Sequence, residues 1–375
     1  MEGRKTQGIP DAPSRLRPHV TLLFSPLTLR GTTFVNRAWL APMCQYSAVD
    51  GSPTDWHLVH LGARAAGGFG LLLAEATAVV PEGRISPQDT GLWHDRHVAE
   101  WRRITDFVHE RGTLVGVQLA HAGRKASTFA PFATRRGSVP LDQGGWTTVG
   151  PSATAFPGLA TPHALSLEEI AGIPAAFAAA ARRADEAGFD VVELHAAHGY
   201  LLHQFLSPLS NERDDEYGGS LENRARLLVE TTDAVRAAWP DHKPLFVRLS
   251  ATDWVEGGLT VEEVAQVAKE LGGHGVDLVD VSTGGNAPAD IPVGPGYQVP
   301  AAREVRETSA VPVAAVGLLT DPAQAEAVLA DGSADAILLG REGLRDPFWP
   351  LRAAHELGVA DDAAWQPQYE RATWA

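Results

Sequence analysis

Eight short runs of β-branched and aliphatic residues recur along the chain, at 37–41, 70–74, 114–119, 190–194, 244–249, 277–281, 311–316 and 334–339, and a helical pattern follows each. No other feature restricts the fold as much. The stretches 167–187, 221–239, 261–273, 301–309 and 322–330 are amphipathic and Ala-rich, and Ser166, Ser220, Thr260 and Asp321 stand where helix N-caps are needed. Regular alternation implies a parallel sheet, because parallel neighbours need a crossover connection. Eight units suggest closure into a barrel, although an open doubly wound sheet has the same local pattern. A length of 375 residues suits one large barrel with insertions.

The placement of polar residues chooses between the two. They follow or end the apolar runs: Pro42-Met43-Cys44, Glu75-Ala76, Gln118 with His121, His195 with His198, Arg248, Ser282, Gly317, and Gly340-Arg341. In a barrel these positions converge on one mouth at the C-terminal ends of the strands, where barrel enzymes carry their active sites. The expected fold is therefore α/β, a single (β/α)₈ TIM barrel. The longest connection, 123–162, is rich in Gly, Pro and Thr and carries Trp146, so it is expected to form a hairpin or lid over the mouth.

A formal net charge of −15 opposes binding to nucleic acid and gives no attraction to an anionic membrane. The single cysteine, Cys44, excludes an intrachain disulfide, a Cys₄ zinc site and a cysteine-ligated iron–sulfur cluster. It also suits a reducing cytoplasm, the expected location. Residues 1–19 lack the apolar core of a signal peptide and are expected to be a flexible extension, and no stretch has the apolar length of a membrane span.

Gly317 and Gly340, with Arg341, fall at the ends of the seventh and eighth strands, where barrels often bind phosphate. Glycine lets backbone amides approach an anion, and arginine adds a fork of charged donors. Taken singly these would be tight turns and a surface arginine; the pairing at the expected strands favours phosphate. No G-x-G-x-x-G follows the first strand, which argues against a Rossmann dinucleotide site.

His195 and His198 have a spacing found in zinc sites, but no clear third ligand accompanies them. At the mouth they can instead donate hydrogen bonds to a carbonyl oxygen that gains negative charge. Tyr200, two residues on, is a competent proton donor where an apolar wall limits water. For His57 and His60, which repeat the spacing on a helical stretch, a structural role is preferred. Cys44 has no base beside it in the sequence and reads better as a buried or tuning thiol than as a nucleophile. Arg248 is open to two readings, a salt bridge or a partner for an anionic group of a cofactor.

Together the runs Ala41-Pro42-Met43-Cys44-Gln45-Tyr46, Glu75-Ala76-Thr77-Ala78-Val79, Gln118-Leu119-Ala120-His121-Ala122-Gly123-Arg124-Lys125 and His195 to Arg224, including Asn211 to Ser220, resemble the Old Yellow Enzyme family. The resemblance extends from about Phe24 to Arg371 and is specifically to the thermostable ene-reductase and xenobiotic reductase branch. It implies an FMN-binding barrel over 20–375. In it Ala41, Pro42, Met43, Cys44, Ala76 and Gln118 line the flavin, Arg248 faces the electron-rich end of the ring, and Gly317, Gly340 and Arg341 hold the phosphate.

The implied activity is a ping-pong ene-reductase reaction. NADPH or NADH reduces the flavin and leaves; an activated alkene (an unsaturated ketone or aldehyde, a nitroalkene or a maleimide) then takes up hydride at its β-carbon and a proton from Tyr200. His195 and His198 would hold the electron-withdrawing oxygen, Tyr46 would orient the substrate and Cys44 would tune the flavin. Arg371, in Gln368-Tyr369-Glu370-Arg371, resembles an arginine that reaches a neighbouring subunit's site, so a homodimer or homotetramer is expected.

Competing functions are separable. Dienoyl-CoA reductases and amine dehydrogenases share part of the barrel but add a cluster that one cysteine cannot ligate. A phosphate-binding aldolase or isomerase would need a Schiff-base lysine or a carboxylate base at the mouth, and Lys125 belongs to the Gly-Arg-Lys run of the resemblance. A non-catalytic flavin sensor would not need Tyr200.

Overall fold

In the computed structural model, which describes residues 21–360, 363 and 365–374, all eight predicted strands form and close on themselves. The expected extension at 1–19 lies outside the described residues. Strands β1 (Leu27–Leu29) and β2 (Thr32–Phe34) pair as a small antiparallel hairpin. The barrel then runs β3 (Ala38–Leu40), β4 (Leu71–Ala78), β5 (Leu114–Ala120), β8 (Val191–Ala196), β9 (Leu245–Ser250), β10 (Leu278–Ser282), β11 (Val313–Ala315) and β12 (Ala336–Leu339), which pairs back with β3. Every pairing within it is parallel.

Between these strands lie the covering helices α1 (Asp55–Ala66), α2 (Arg96–Glu110), α3 (Leu167–Glu186), α5 (Leu221–Ala238), α6 (Val261–Gly273), α7 (Val299–Ser309), α8 (Pro322–Ala330) and α10 (Trp349–Glu356). Two short helices, α4 (Leu201–Leu206) and α9 (Arg341–Arg345), sit at strand ends. The four predicted caps are all used. Ser166, Ser220, Thr260 and Asp321 accept hydrogen bonds from backbone N–H groups of α3, α5, α6 and α8, which satisfies donors that have no partner within a helix.

The pleat sorts each strand into two faces. On β8, Val192, Leu194 and Ala196 pack against the helices, whereas Val191 joins the inner cluster. Inside, the barrel is apolar at its N-terminal end. Phe34 and Leu29 of the hairpin close that end against Trp39, Leu71, Phe246 and Leu278. The rings of Trp39 and Phe246 stack with centroids 5.8 Å apart, and Phe34 lies 4.7 Å from Trp39. Higher up, the alternate positions on β8, β9 and β10 become polar: Glu193 and His195, Arg248 and Ser250, Asp280 and Ser282, all buried.

Of the two forms expected for the long third connection, it takes the lid form. Its only ladder pairs β6 (Val149–Gly150) in parallel with β7 (His163–Ala164), with one isolated antiparallel bridge between Thr128 and Ser138. No helix among the described residues is long and apolar enough to cross a membrane.

Candidate active site

At the floor of the mouth, four side chains from neighbouring strands meet. Gln118 Nε2 donates to Glu193 Oε1 (2.7 Å), and Arg248 Nε lies 2.9 Å from Asp280 Oδ2, side by side rather than in line. Two buried carboxyls face one guanidinium. Burial raises the pKa of both, and for Glu193 the nearby Asp280 raises it further while Arg248 opposes. Burial therefore favours a retained proton on the carboxyl pair, which leaves fewer buried anions facing the guanidinium.

Above this floor, β8 carries His195 and the chain then turns. The rings of His195 and His198 lie edge to face with centroids 5.2 Å apart, and Tyr200 lies 4.8 Å from His195. Ser282 Oγ is 2.7 Å from His198 Nε2 and steadies that ring. Burial, together with Arg248 and Lys125, lowers the pKa of both histidines well below the usual range, so both are neutral. Burial raises the Tyr200 phenol well above its usual value, with smaller contributions from Cys44, Tyr46 and Asp89. The phenol stays protonated.

Opposite stands an apolar wall. Ala76, Ile85, Ala120, Ala122 and Ala126 form a small cluster against which Cys44, Tyr46, Trp146 and Tyr200 pack. The lid is held there by Trp146, whose Nε1 donates to Glu82 O (2.7 Å). The loop carrying Cys44 is pinned by Glu75, the extra residue of a β-bulge between Ala74 and Ala76. Glu75 Oε2 accepts from Gln45 N (2.7 Å) and Oε1 lies 2.8 Å from His57 Nε2, while His57 Nδ1 accepts from Thr54 N. His57 is thus structural. Burial, then Asp89 and Glu75, push the Cys44 thiol well above its usual value, which disfavours a nucleophilic thiolate.

The third part is a cavity of about 160 Å³ that runs from Arg248 and Ser282 past Gln298 and Gly317 to Gly340 and Arg341. Gly317 has φ +124°, and a Cβ there would stand 3.1 Å from Gln298 Nε2, so glycine keeps this wall open. Gly340 is open up to Met43 Sδ, 3.9 Å from where its Cβ would be. Arg341 is exposed and makes no ion pair with another described residue. A guanidinium at each end and a glycine cradle at one of them fit FMN: a dianionic phosphate at Arg341 and an electron-rich ring edge at Arg248.

Of the predicted residues, Cys44, Tyr46, Ala76, His195, His198 and Tyr200 come together at the mouth. Gln118 and Arg248 form its floor, and Gly317, Gly340 and Arg341 line the cavity. Pro42 is buried between Ala41, which belongs to the inner barrel cluster, and Met43, whose Sδ lies nearest to Gly340. Arg371 stands apart, exposed on a tail whose Gln366 and Tyr369 lie along α1 and α2 on the outer wall. Sequence reasoning missed Glu193 and Asp280. Their signal was a polar residue two positions before His195 and Ser282, on the same face of an apolar strand.

Known proteins share the sequence and the barrel. The model of the NADH:flavin oxidoreductase / NADH oxidase family matches residues 22–359. The chain is 49% identical over 354 residues to an NADPH dehydrogenase of Geobacillus thermodenitrificans, covering 94% of this chain and 98% of that one. It is 48% identical over 358 residues to an NADH:flavin oxidoreductase of Gibberella zeae, covering 90% and 86%. Among solved structures it is similar to morphinone reductase (TM-score 0.76, 30% identity, 93% of this chain and 92% of that chain) and to an old yellow enzyme homologue from Zymomonas mobilis (TM-score 0.75, 29%, 94% and 99%). It also superposes on a 2-naphthoyl-CoA reductase (TM-score 0.82, 27%, 91% of this chain), of which it spans only 53%. The sequence resemblance and the closed barrel therefore have one explanation: the chain belongs to the NADH:flavin oxidoreductase / NADH oxidase family, the Old Yellow Enzyme family, and is an enzyme that uses FMN with NAD(P)H as reductant.

Proposed function

We propose that this oxidoreductase is an ene-reductase, which reduces the C=C bond of activated alkenes in two alternating half-reactions. The observation that carries the reading is the group formed by two imidazoles and a phenol at the end of β8 and on the turn after it, beside an apolar wall. Donors that are neutral and preorganised stabilise an oxygen as it gains charge without surrendering a proton to it. His195 and His198 are assigned to the carbonyl or nitro oxygen, and Tyr200 holds the proton for the α-carbon.

FMN, when bound, supplies the hydride that reduces the β-carbon. Ala41, Pro42, Met43, Cys44, Ala76, Gln118 and Arg248 are assigned to its ring, and Gly317, Gly340 and Arg341 to its phosphate. Arg248 favours the reduced, negatively charged ring electrostatically. Tyr46 and the Trp146 lid shape the substrate side and keep water from the proton donor. Arg371, remote from its own chain's mouth, is assigned to the site of a neighbouring copy in a homodimer or homotetramer.

Stopped-flow mixing of the reduced holoenzyme with enones, nitroalkenes and maleimides tests the substrate class. Reoxidation by at least one class at a rate that supports turnover is expected; none reacting faster than solvent oxygen would overturn it. Tyr200→Phe should slow alkene reduction by about a hundredfold or more, while reduction by NADPH stays near the wild-type rate. Equal losses in both half-reactions would remove Tyr200 from the proton-donor role.

A further inference from the structure

The turn that carries His198 and Tyr200 is held by side chains at every backbone polar group of its two central residues. Both residues are in the left-handed region, His198 at φ +58° and Gly199 at φ +72°. His198 N–H donates to Ser250 Oγ (2.9 Å) and His198 O accepts from Lys125 Nζ (2.7 Å). Gly199 N–H donates to His203 Nδ1 (2.9 Å) and Gly199 O accepts from Gln204 Nε2 (2.7 Å). A non-glycine residue rarely takes this conformation unless its surroundings over-determine it.

Every member of this cage has a further partner; that of His203 is a carboxylate beside its other ring nitrogen. Because Nδ1 accepts a backbone N–H, the ring proton sits on Nε2, which lies 3.1 Å from Asp253 Oδ1 as a charge contact rather than an aligned hydrogen bond; both side chains are wholly buried. The other oxygen, Asp253 Oδ2, accepts from Ser207 Oγ (2.6 Å) and Leu259 N (3.0 Å). Burial alone would raise the Asp253 carboxyl, but His203, Ser207 and Leu259 together hold it below the usual range. A charged carboxylate beside Nε2 selects the tautomer that leaves Nδ1 free to accept.

We infer that His203, set in its Nε2–H tautomer by Asp253, is a positioning residue for alkene reduction: it fixes Gly199 N–H and so aims His198 and Tyr200 at the substrate. The inference rests on the reading of those two residues given above. Without the clamp, the left-handed turn relaxes, and a donor displaced by about an ångström loses on the order of a hundredfold in rate.

The test compares the holoenzyme with His203→Asn and His203→Leu. Asparagine places Oδ1 where Nδ1 was and keeps an acceptor for Gly199 N–H; leucine keeps bulk and offers none. His203→Leu should slow reoxidation by a cyclic enone about tenfold to a hundredfold and leave FMN affinity within about threefold, and His203→Asn should recover most of the rate. An enone rate unchanged in His203→Leu, or equally low in both variants, would overturn the inference.

Long-range ¹H–¹⁵N spectra of histidine-labelled holoenzyme provide an arm that needs no alkene. Wild-type His203 should show an unprotonated Nδ1, and the His195 and His198 signals should move in His203→Leu and return in His203→Asn. A proton on His203 Nδ1 would overturn the clamp even if leucine prevents folding. If the wild type takes FMN and is reduced by NADPH but reduces no alkene, the substrate reading fails, and these spectra still decide the clamp.

Discussion

At Gly199 the catalytic turn depends on the absence of a side chain. Beyond its φ of +72°, a Cβ there would lie 2.4 Å from Gly285 O and 2.7 Å from Asn286 Cα, both backbone atoms that cannot step aside. Gly199→Ala should therefore destabilise the folded protein by about 2–3 kcal/mol through strain and displaced backbone. Equilibrium denaturation checks this, and a loss below about 0.5 kcal/mol, the size of an indifferent surface change, would contradict it. At this scale the sequence was partly legible. His195, Arg248 and Ser282 announced themselves as polar residues closing apolar strands. Glu193 and Asp280 did not, because a buried carboxylate is recognisable only with its partner, and Arg248 and Gln118 are 32 or more positions away on other strands.

Among the elements, the eight strands and their capped helices could be read because each repeats a local rule: apolar run, N-cap, amphipathic stretch. The β1–β2 hairpin escaped because two strands of three residues are too short to show a period. Its importance is tertiary. Phe34 has no exposed surface and plugs the end of the barrel remote from the mouth. Phe34→Ala should cost about 3–5 kcal/mol, seen as a lower denaturant midpoint, while the rate of flavin reduction well below the transition stays unchanged. A loss under about 1 kcal/mol would mean that the hairpin is dispensable to the core. The long third connection was legible as an insertion, but the packing of Trp146 on the same apolar wall as Cys44, Tyr46 and Tyr200 was not, since that cluster joins segments far apart in the chain.

Across the whole molecule, buried histidines dominate the response to acid. Burial lowers His60 to about 3 and His97 and His121 to about 4, and His195 and His198 also lie well below the usual value. These rings bind protons more readily when unfolded, where the value is about 6.5. Their contribution is complete above that pH and is lost as pH falls below it. Asp89, raised to about 7 by burial, and the Glu193–Asp280 pair act in the opposite sense, because there the folded state holds the extra proton. His109, raised by its hydrogen bond to Asp190, joins the three carboxyls, but five histidines outweigh these four groups, so stability should fall on acidification from about pH 6.5, by about 1.4 kcal/mol per pH unit for each excess proton. A denaturation series over that range is the check; stability that is flat or rises would refute the balance. The sequence by itself determined the class of architecture, the parallel barrel and the family, because alternation, caps and long motifs are properties of neighbouring residues. Tertiary structure alone decided which charges share a floor, which protons are retained and how a left-handed turn is clamped. Those outcomes depend on burial and on distances between segments far apart in the chain, and local sequence encodes neither.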